Sequence, residues 1–452
     1  MLNKILIANR GEIAVRIIRA CKEMGIATVA IYSQADMDSL HVHMADESIC
    51  IGPPSSTKSY LKMENIISAA LAKNCDAIHP GYGFLSENPK FAKMCEDNNI
   101  VFIGPKGEHI SMMGNKSVAR EIMMKNGVPV IPGSESSTND KSKALETAKD
   151  IGFPVMIKAA SGGGGRGMRI AKDAEEFDKF FAMAKSESLA AFGDDGMYIE
   201  KYIEDPRHIE FQILADRYGN VVHLGDRDCS LQRRNQKVIE EAPSLVINHE
   251  LRRDMGKAAI KAAKAVDYIS VGTVEFLLDK NHDFYFIEMN TRIQVEHPVT
   301  ELVSNIDIVK EQIRIANGEK ISYKQKDIKL TGHAIECRIN AEDIEKNFRP
   351  VPGTIDIFYS PGGMGVRVDT HIYSGYKIPP YYDSMIGKLI VWGNNREEAI
   401  SRMKRVLDET VIEGVKTNLR FHKIIMSNEY YIKNEINTSF INDKLLEGGG
   451  II

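Results

Sequence analysis

The sequence predicts a multidomain protein of the α/β and α+β classes, with a parallel α/β domain at the N-terminus and an antiparallel sheet with helices at the C-terminus. Strand-like and helix-like segments alternate over residues 4–104, which is typical of a parallel α/β domain. From residue 208 onward polar and apolar residues alternate strongly, which indicates β-strands with two different faces. The chain of 452 residues is long enough for several domains, taking ~150 residues for each.

Composition narrows the classes of function. Apolar residues make up 43% and charged residues 27% of the chain, as in ordinary soluble proteins. The net charge of −4 gives no reason to expect nucleic acid or an anionic membrane as a partner. The sequence has no apolar run of ~18 residues, and its N-terminus is charged too early for a signal peptide, so we expect a cytoplasmic protein without a membrane span.

The six cysteines are scattered, with no CxxC pair and no Cys/His cluster, which argues against a zinc site and fits a reducing compartment. Cys229 lies among charged residues and could be reactive, but a small buried thiol is the favoured interpretation.

The N-terminal segments fit a parallel sheet with covering helices. Strands are predicted at 4–8, 28–33, 76–79 and 100–104, and helices after Gly11, at 60–73 and at 88–97. No GxGxxG follows the first strand, so the dinucleotide-binding fingerprint is absent. His79-Pro-Gly-Tyr-Gly-Phe84 follows a strand at the edge where α/β sheets bind ligands, although a plain turn remains open.

A second unit is predicted after a linker at 131–143. Its elements are a helix at 141–150, strands at 154–160, 168–171 and 197–203, and a helix at 174–187. The loop Ser161–Gly167 has five glycines in seven residues; it does not match a P-loop, but its backbone N–H groups suit phosphate. We expect a mobile glycine-rich lid over a nucleotide, with a loose hairpin as the alternative.

The remaining chain reads as strands, helices and a terminal antiparallel sheet. Its predicted strands lie at 208–213, 221–225, 272–279, 283–288, 333–340, 353–358 and 389–392. The last of these belongs to the segment Gly375–Trp392, which contains Pro379-Pro-Tyr-Tyr-Asp-Ser384 and is expected to continue the terminal sheet. Its predicted helices lie at 248–266, 302–317, 396–410 and 417–427. The segment Arg227–Lys237 is polar and strongly basic, and the Gly448–Gly450 end is expected to fray.

The stretch Phe286–Pro298 carries the strongest chemical signal. Polar residues occupy every second position, namely Glu288, Asn290, Arg292, Gln294 and Glu296, and an extended strand would gather them on one face. Carboxylates with an Asn suit a hard divalent cation, and Glu275, at the end of a neighbouring predicted strand, would complete such a site. An Arg suits an oxyanion, and the last Glu could act as a base. The solvated face of an edge strand is the competing explanation. Because Pro298 follows closely, a loop in extended form is the alternative to a strand for the last residues before it.

In chain order, several of these features together resemble a known superfamily. They are Lys116, Lys158 with the glycine-rich loop, Glu200-Lys-Tyr, Glu275 and Glu288–Pro298. The set resembles the ATP-grasp superfamily and, within it, the biotin carboxylase family. Ile7-Ala-Asn-Arg-Gly-Glu-Ile-Ala, His79–Asn88 and the Gln232–Lys237 segment are similar to the same family, so the resemblance spans essentially the whole chain.

The resemblance implies a reaction in which ATP phosphorylates bicarbonate to carboxyphosphate and the carboxyl group passes to biotin on a partner protein. It implies that ATP is bound by Lys116, Lys158, Gly164, Gly165, Glu200, Lys201, Tyr202, Ile203, His208 and Asn235. It implies that Mg²⁺ or Mn²⁺, about two ions with ATP, is held by Glu275, Glu288 and Asn290. It implies that bicarbonate is held by Lys237, Arg292, Gln294 and the backbone of Val295.

For the chemical steps, the resemblance implies that Glu296 deprotonates bicarbonate, that Arg292 is also catalytic, and that Arg338 stabilises the biotin enolate. Tyr82 is expected to line the biotin site with Arg338. One departure is visible: Asn235 stands where His is frequent, and it could still bind a ribose hydroxyl but carries no titratable ring.

The family pattern implies five segments. These are an N-terminal α/β domain at 1–113, a connecting helical region at 114–130, an ATP-grasp lid domain at 131–203, an ATP-grasp catalytic domain at 204–330 and a C-terminal domain at 331–452.

The sequence lacks an Ala-Met-Lys-Met biotin-attachment stretch, and it has no room for a carboxyltransferase domain. We therefore expect a free-standing subunit of bacterial-type acetyl-CoA carboxylase, serving fatty acid synthesis with a biotin carboxyl carrier protein and carboxyltransferase subunits. A two-subunit pyruvate or other acyl-CoA carboxylase, another ATP-grasp carboxylate–amine ligase, and a non-catalytic ATP-binding subunit remain open. The resemblance also implies a homodimer, with Arg19, Glu23 and Arg367 at its interface.

Overall fold

The computed structural model describes residues 1–134, 136–159, 168–192 and 195–446, without the side chains of 191 and 192. The described chain forms two compact units. The major unit comprises Met1–Val128, Arg207–Phe276 and the chain from Glu288 onward, and the minor unit comprises Pro129–Pro206 and Leu277–Ile287. The predicted loop Ser161–Gly167, with Gly164 and Gly165, and the Gly448–Gly450 end lie outside the described residues.

The N-terminal part of the major unit is a five-stranded parallel sheet, as predicted, in the order β3-β2-β1-β4-β5. Its strands are β1 Lys4–Ile7, β2 Ala27–Ser33, β3 Glu47–Gly52, β4 Ala77–His79 and β5 Val101–Phe102. Its helices are α1 Gly11–Glu23, α2 Leu40–Met44, α3 Met63–Ala72, α4 Pro89–Asp97, α5 Gly107–Gly114 and α6 Lys116–Lys125. The sequence pattern did not reveal β3, because this edge strand buries only Ile51 and its apolar run is three residues long.

The turn after β4 is fixed by a side chain from the end of β1. Asn9 Nδ2 donates to the carbonyls of Pro80 and Tyr82, at 2.7 Å each. Gly81 has a φ of +61° there, and a Cβ on it would lie 3.0 Å from Asn9 Nδ2, so a larger residue is excluded on both counts. The turn therefore presents Tyr82 at the carboxyl edge of the sheet.

The minor unit packs two helices on a three-stranded antiparallel sheet of order β7-β6-β8. Its elements are α7 Lys141–Ile151, β6 Val155–Ala159, β7 Met168–Ala171, α8 Ala174–Phe192 and β8 Met197–Lys201. Burial alternates along β6, so Val155 and Ile157 enter the core beside Phe177 and Phe181, while Lys158 points to the other face.

The rest of the chain is built around one large sheet. Its first elements are β9 Arg207–Ala215, β10 Val221–Arg233, β11 Gln236–Ala242, α9 His249–Lys264, β12 Ser270–Leu278, β13 Phe284–Asn290, α10 His297–Ser304 and α11 Ile308–Ala316. They are followed by β14 His333–Asn340, β15 Glu342–Asp343, β16 Arg349–Pro350, β17 Gly353–Thr354, β18 Ile357–Tyr359, β19 Val366–Thr370, β20 Lys377–Ile378, β21 Met385–Gly393, α12 Arg396–Glu409, β22 Val411–Glu413, α13 Leu419–Ser427 and α14 Glu429–Ile432. Eight of these strands form a sheet of order β13-β12-β9-β10-β11-β14-β21-β19. The terminal strands β14, β21 and β19 thus continue the sheet of the preceding segment through the antiparallel β11–β14 pair.

Two local predictions were wrong. The single helix expected at 302–317 is two helices, α10 and α11, because Asn305 adopts a left-handed conformation (φ +57°) and Asp307 caps the second helix. The single strand expected at 353–358 is two short strands, β17 and β18, which pair with different partners. In the segment 286–298 the strand ends at Asn290, so the alternative of a loop before Pro298 is the one observed. Among the described residues, no helix has the length and apolar character needed to cross a bilayer.

Candidate active site

A turn, rather than strand alternation, gathers the polar residues after Asn290. Residues 291–296 leave the sheet, and Glu296 directly precedes α10, whose first turn tolerates Pro298 because Pro needs no N–H donor there. Gln294 and Glu296 are buried at 3% and 2% exposure. The competing explanation of a solvated strand face is therefore wrong for these two residues.

Lys237 is the centre of the site. Its ammonium lies 2.6 Å from Glu210 Oε2, 3.0 Å from Glu275 Oε1 and 2.7 Å from Glu296 Oε1. Three donors on one ammonium thus meet three buried carboxylates. These carboxylates hold the pKa of Lys237 well above its ordinary value, and Lys237 in turn helps to lower the pKa of Glu275 and Glu296 against the effect of burial. Both glutamates are therefore ionised at neutral pH.

Arg338 reaches Glu296 from the opposite side. It enters from β14, and its Nη2 lies 3.0 Å from Glu296 Oε2 while its Nε donates to Glu240 Oε1 at 2.6 Å. Glu240 on β11 stands directly opposite Glu336 on β14, and both side chains are fully buried. Burial and this close like charge raise the pKa of Glu336 well above the ordinary range, and burial raises the pKa of Glu240 to about 7 against the opposing effect of Arg338.

Beneath Lys237, a fully buried arginine fixes two of the site side chains. Arg227 donates to Glu210 through Nε and to Gln294 Oε1 at 2.7 Å through Nη2. Its other N–H groups donate to Gln212, Thr273 and Thr300, so all five donors of the guanidinium are used. Gln294 Nε2 donates to Glu275 at 2.8 Å, which leaves one of its two N–H bonds for a ligand. Arg227 and Glu210 therefore orient Gln294 and Lys237.

Arg292 is held by Glu87, which lies in the loop between β4 and α4 of the N-terminal part. Its Nε donates to Glu87 Oε2 at 2.7 Å, and the other oxygen of Glu87 accepts from the backbone N–H of Thr291 at 3.0 Å. Arg292 Nη2 also donates to Asn290 Oδ1 at 3.0 Å. Glu87 lies in the His79–Asn88 stretch that carried part of the resemblance, but sequence reasoning assigned it no role.

The three predicted metal ligands make two separate sets of contacts: Glu275 and Asn290 bind each other, whereas Glu288 pairs with a lysine. Asn290 Nδ2 donates to Glu275 Oε1 at 2.8 Å, and His208 Nε2 lies 2.8 Å from the other oxygen of Glu275. Glu288 instead pairs with Lys116, whose exposed ammonium is 3.0 Å away. Each carboxylate thus already faces a cationic or donor group, and both offer the hard oxygen atoms that Mg²⁺ and Mn²⁺ prefer.

The minor unit holds the other predicted ATP residues within its own sheet. Lys158 on β6 forms an ion pair with Glu200 on β8. The backbone N–H groups of Lys201 and Tyr202 donate to the carbonyls of Pro132 and Pro154, at 2.7 and 3.0 Å. An adenine contact at 200–203 would therefore use other backbone groups, such as those of Ile203.

Asn235 lies with Arg234 in the two-residue turn between β10 and β11. Both residues have positive φ, +51° for Arg234 and +63° for Asn235, and Asn235 is exposed. Asn adopts a positive φ more readily than most residues. The conformation of the turn therefore explains why Asn suits position 235, whether or not the residue contacts the nucleotide.

A cavity of about 500 Å³ opens beside Arg338 in the major unit. Its lining includes Glu12, Tyr82, Phe84, Val295, Arg338, Tyr381 and Tyr382. Tyr82 and Arg338, which were predicted together, do line one space. Sequence reasoning missed Tyr381 and Tyr382, although both lie in the Pro379–Ser384 stretch that it singled out as part of the terminal sheet.

Cys229 is fully buried, and burial with nearby carboxylates raises the pKa of its thiol well above the ordinary value. The favoured interpretation as a small buried thiol is confirmed. Of the residues predicted at an interface, Arg19 is 4.0 Å from Asp369, Glu23 pairs with Lys310, and Arg367 pairs with Glu301 and Asp369.

Three family models match the chain. They are "Biotin carboxylase, N-terminal domain" at residues 1–110, "Carbamoyl-phosphate synthase L chain, ATP binding domain" at 115–324 and "Biotin carboxylase C-terminal domain" at 336–443.

Known relatives and solved structures match over nearly the full length. The chain is 60% identical to a biotin carboxylase of Nostoc sp., covering 98% of this chain and 99% of that protein. The solved biotin carboxylase subunit of pyruvate carboxylase superposes with a TM-score of 0.89 at 51% identity, covering 98% of each chain. The biotin carboxylase domain of a thermophilic 2-oxoglutarate carboxylase, solved bound to bicarbonate, superposes with a TM-score of 0.94 at 50% identity, again covering 98% of each chain.

The ATP-binding domain and the carboxylate-rich site define an ATP-dependent enzyme of the ATP-grasp class. Since the matches extend from the N-terminal to the C-terminal domain, the chain belongs to the biotin carboxylase family.

Proposed function

We propose that this protein uses ATP to activate bicarbonate and transfers the carboxyl group to biotin on a biotin carboxyl carrier protein, as the first half-reaction of acetyl-CoA carboxylase. The observation that carries the proposal is the placement of Glu296 between Lys237 and Arg338, at 2.7 and 3.0 Å. A carboxylate, an anion-binding ammonium and a guanidinium beside a cavity are the groups that an anionic nucleophile and its acceptor require.

Lys237 controls the basicity of Glu296 through an exchange of partners. With Lys237 on Glu296, the low pKa of the carboxylate makes it a weak base. When the bicarbonate oxyanion binds Lys237 and Arg292, these cations make the bicarbonate hydroxyl more acidic. Because Lys237 then shares its charge with bicarbonate, the pKa of Glu296 rises. The hydroxyl proton then passes to Glu296, and the freed oxygen attacks the γ-phosphorus of ATP, which releases ADP and forms carboxyphosphate.

Glu275, Glu288 and Asn290 would hold Mg²⁺ or Mn²⁺ with the triphosphate, and the hard oxygen donors on these side chains fit either ion. The bound metal would neutralise negative charge on the triphosphate. Lys116, now on Glu288, and Lys158, now on Glu200, would turn to phosphate oxygens, since an ammonium is a strong point-charge partner for phosphate. The residues 200–203, His208, Asn235 and the loop with Gly164 and Gly165 are proposed for the rest of the nucleotide.

The aromatic cavity supports a biotin site. Tyr82, Tyr381 and Tyr382 offer flat apolar walls, and Arg338 offers a cation where negative charge would develop on the ureido oxygen. Arg338 is thus proposed to stabilise the biotin enolate. The similarity to the biotin carboxylase subunit of a pyruvate carboxylase favours a second candidate for the final carboxyl acceptor. Different transferase partners could pass the carboxyl group from biotin to pyruvate, or to an acyl-CoA other than acetyl-CoA.

We further propose a cytoplasmic homodimer that works with carboxyltransferase subunits, with Arg19, Glu23 and Arg367 at the dimer contact. The five domain boundaries, from 1–113 to 331–452, stay a prediction. Sedimentation of the purified protein tests the dimer, and purification of the chain from cells, followed by detection of biotinylated proteins that accompany it, identifies the carrier.

Transfer of labelled carbon from bicarbonate to free biotin, in the presence of ATP and Mg²⁺, tests the reaction. The proposal predicts labelled carboxybiotin. An ATP-grasp carboxylate–amine ligase would respond to an amine instead of biotin, and a non-catalytic subunit would bind ATP without turnover. Either result would replace the proposal.

A further inference from the structure

Lys388 is a fully buried lysine beneath the active site. It stands on β21 directly opposite Arg338 on one neighbouring strand and Asp369 on the other. Its ammonium donates to the Val295 carbonyl at 2.7 Å and lies 3.1 Å from Glu12 Oε1. Burying an ammonium is unfavourable unless it is paired. The Lys388 ammonium is paired with the carbonyl of Val295, the residue immediately before Glu296, and with the Glu12 carboxylate of helix α1.

Glu12 ties Lys388 to the aromatic cavity. It lies in the first turn of α1 at 3% exposure and lines the cavity. The oxygen that faces Lys388 also accepts a hydrogen bond from the Tyr82 hydroxyl. Within the described part of the chain, Glu12 Oε2 has no hydrogen-bond partner. Glu12 is therefore committed to Tyr82 and Lys388 through a single oxygen atom.

Three separate elements thus meet through a short polar path: the turn with Tyr82, helix α1 with Glu12, and strand β21 with Lys388. The path ends on the Val295–Glu296 peptide. Its two ends are the proposed biotin wall and the proposed bicarbonate site. Buried ion pairs often add little to stability, so the feature of this pair that suggests a functional role is its continuity from one proposed substrate site to the other.

We propose that Glu12 and Lys388 are positioning residues that lock the Tyr82 wall of the cavity to the Val295–Glu296 peptide, so that the biotin ring and the bicarbonate anion are held at a fixed separation. Neither residue touches the reacting atoms. Because the chain of contacts is shared, disturbing either residue displaces both binding sites together. This inference rests on the proposed function of the same site.

The test uses full-length Lys388→Met, Glu12→Gln and the double variant, with two assays: bicarbonate-dependent ATP hydrolysis without biotin, and its stimulation by free biotin. Lys388→Met should raise the KM for bicarbonate and the KM for biotin by about tenfold each, the range for loss of one buried charged hydrogen bond. The rise in KM should exceed the fall in kcat. The double variant should be no worse than the more impaired single variant, because both act through one path.

Glu241→Gln is the matched control, since Glu241 is a buried glutamate on β11 paired with Arg396 and His333 and takes no part in the path. It should lower the thermal midpoint and leave both KM values unchanged. If Lys388→Met does not fold, the isosteric Glu12→Gln decides the question with the same two assays.

Unchanged KM values in a folded variant, or a rise in only one of them, would overturn the inference while the proposed function stands. Wild-type protein without bicarbonate-dependent hydrolysis would instead overturn the proposed function and the inference with it.

Discussion

Glu296 Oε1 lies 2.7 Å from Lys237 Nζ, so the proposed base and the proposed anion-binding lysine are paired with each other. The Lys237 ammonium, which lowers the basicity of Glu296, is also the group that we propose binds bicarbonate. We therefore expect the basicity of Glu296 to rise when a bicarbonate anion takes Lys237 as its partner.

Glu296→Gln should stop both bicarbonate-dependent ATP hydrolysis and biotin carboxylation. The amide keeps the volume and one acceptor for Lys237 but cannot take a proton, so kcat/KM should fall by about 10²–10⁴-fold, the usual contribution of a general base. Steady-state kinetics of both reactions measures this. Glu345→Gln, at an exposed position, is the control and should behave as wild type. Normal hydrolysis in Glu296→Gln would show that another base acts.

Arg338→Ala should lower biotin carboxylation far more than hydrolysis of ATP. The variant loses the cation proposed for the biotin enolate, whereas Lys237 still neutralises Glu296. The ratio of carboxybiotin formed to ATP hydrolysed should fall at least about 100-fold. Removal of the guanidinium also leaves Glu240 buried without its partner, so a lower thermal midpoint is expected as well.

The comparison variant is Arg420→Ala, which removes an exposed arginine of the same unit and should change neither quantity. An unaltered ratio of carboxylation to hydrolysis in Arg338→Ala would remove Arg338 from the transfer step.

Glu87→Gln should weaken bicarbonate binding. Glu87 holds Arg292 Nε and the Thr291 N–H on its two oxygens, so loss of its charge loosens the guanidinium that is proposed to grip the anion. The KM for bicarbonate should rise by about 3- to 10-fold, as for one charge-assisted hydrogen bond at a partly exposed site. Glu96→Gln on α4 removes an exposed carboxylate from the same sheet region and should leave the KM unchanged. A KM for bicarbonate in Glu87→Gln equal to wild type would contradict this role.

The Glu240–Glu336 pair predicts an unusual pH dependence of stability. Both carboxyls have a pKa in the folded protein above the value of ~4.3 expected in the unfolded chain, which favours their protonated form in the fold. The stability that they contribute is therefore fully present below pH ~4.3 and is lost as the pH rises through the folded pKa, about 7 for Glu240.

Glu336→Gln mimics the protonated carboxyl at every pH. Its thermal midpoint relative to wild type should therefore increase between about pH 5 and pH 8. Thermal unfolding at both pH values checks this, with Glu345→Gln as the exposed control. A difference between variant and wild type that does not change with pH would show that the pair holds no proton in this range.

The elements with strong periodicity could be predicted from sequence, and so could the residues whose identity carries the chemistry. Helix α1 was found because its buried residues recur at helical spacing, and Glu296, Arg338 and Lys237 were found through the family motif. Strand β3 was missed because an edge strand that buries little has no such pattern.

Some contacts between residues distant in the chain were not predicted. Glu87 meets Arg292 across 205 positions, and Lys388 meets Val295 across 93. No local pattern encodes either pairing, since it depends on how separate elements pack. The alternation in 286–298 indicated the right residues, but only the nearby Pro298 hinted that Glu296 would reach Lys237 through a turn after the strand has ended.

The dependence of ATP hydrolysis on bicarbonate and biotin tests the central claim most directly. With Mg²⁺ and saturating ATP, the purified chain should hydrolyse ATP only when bicarbonate is present, and free biotin should raise that rate. Hydrolysis that proceeds equally without bicarbonate and ignores biotin would contradict the account.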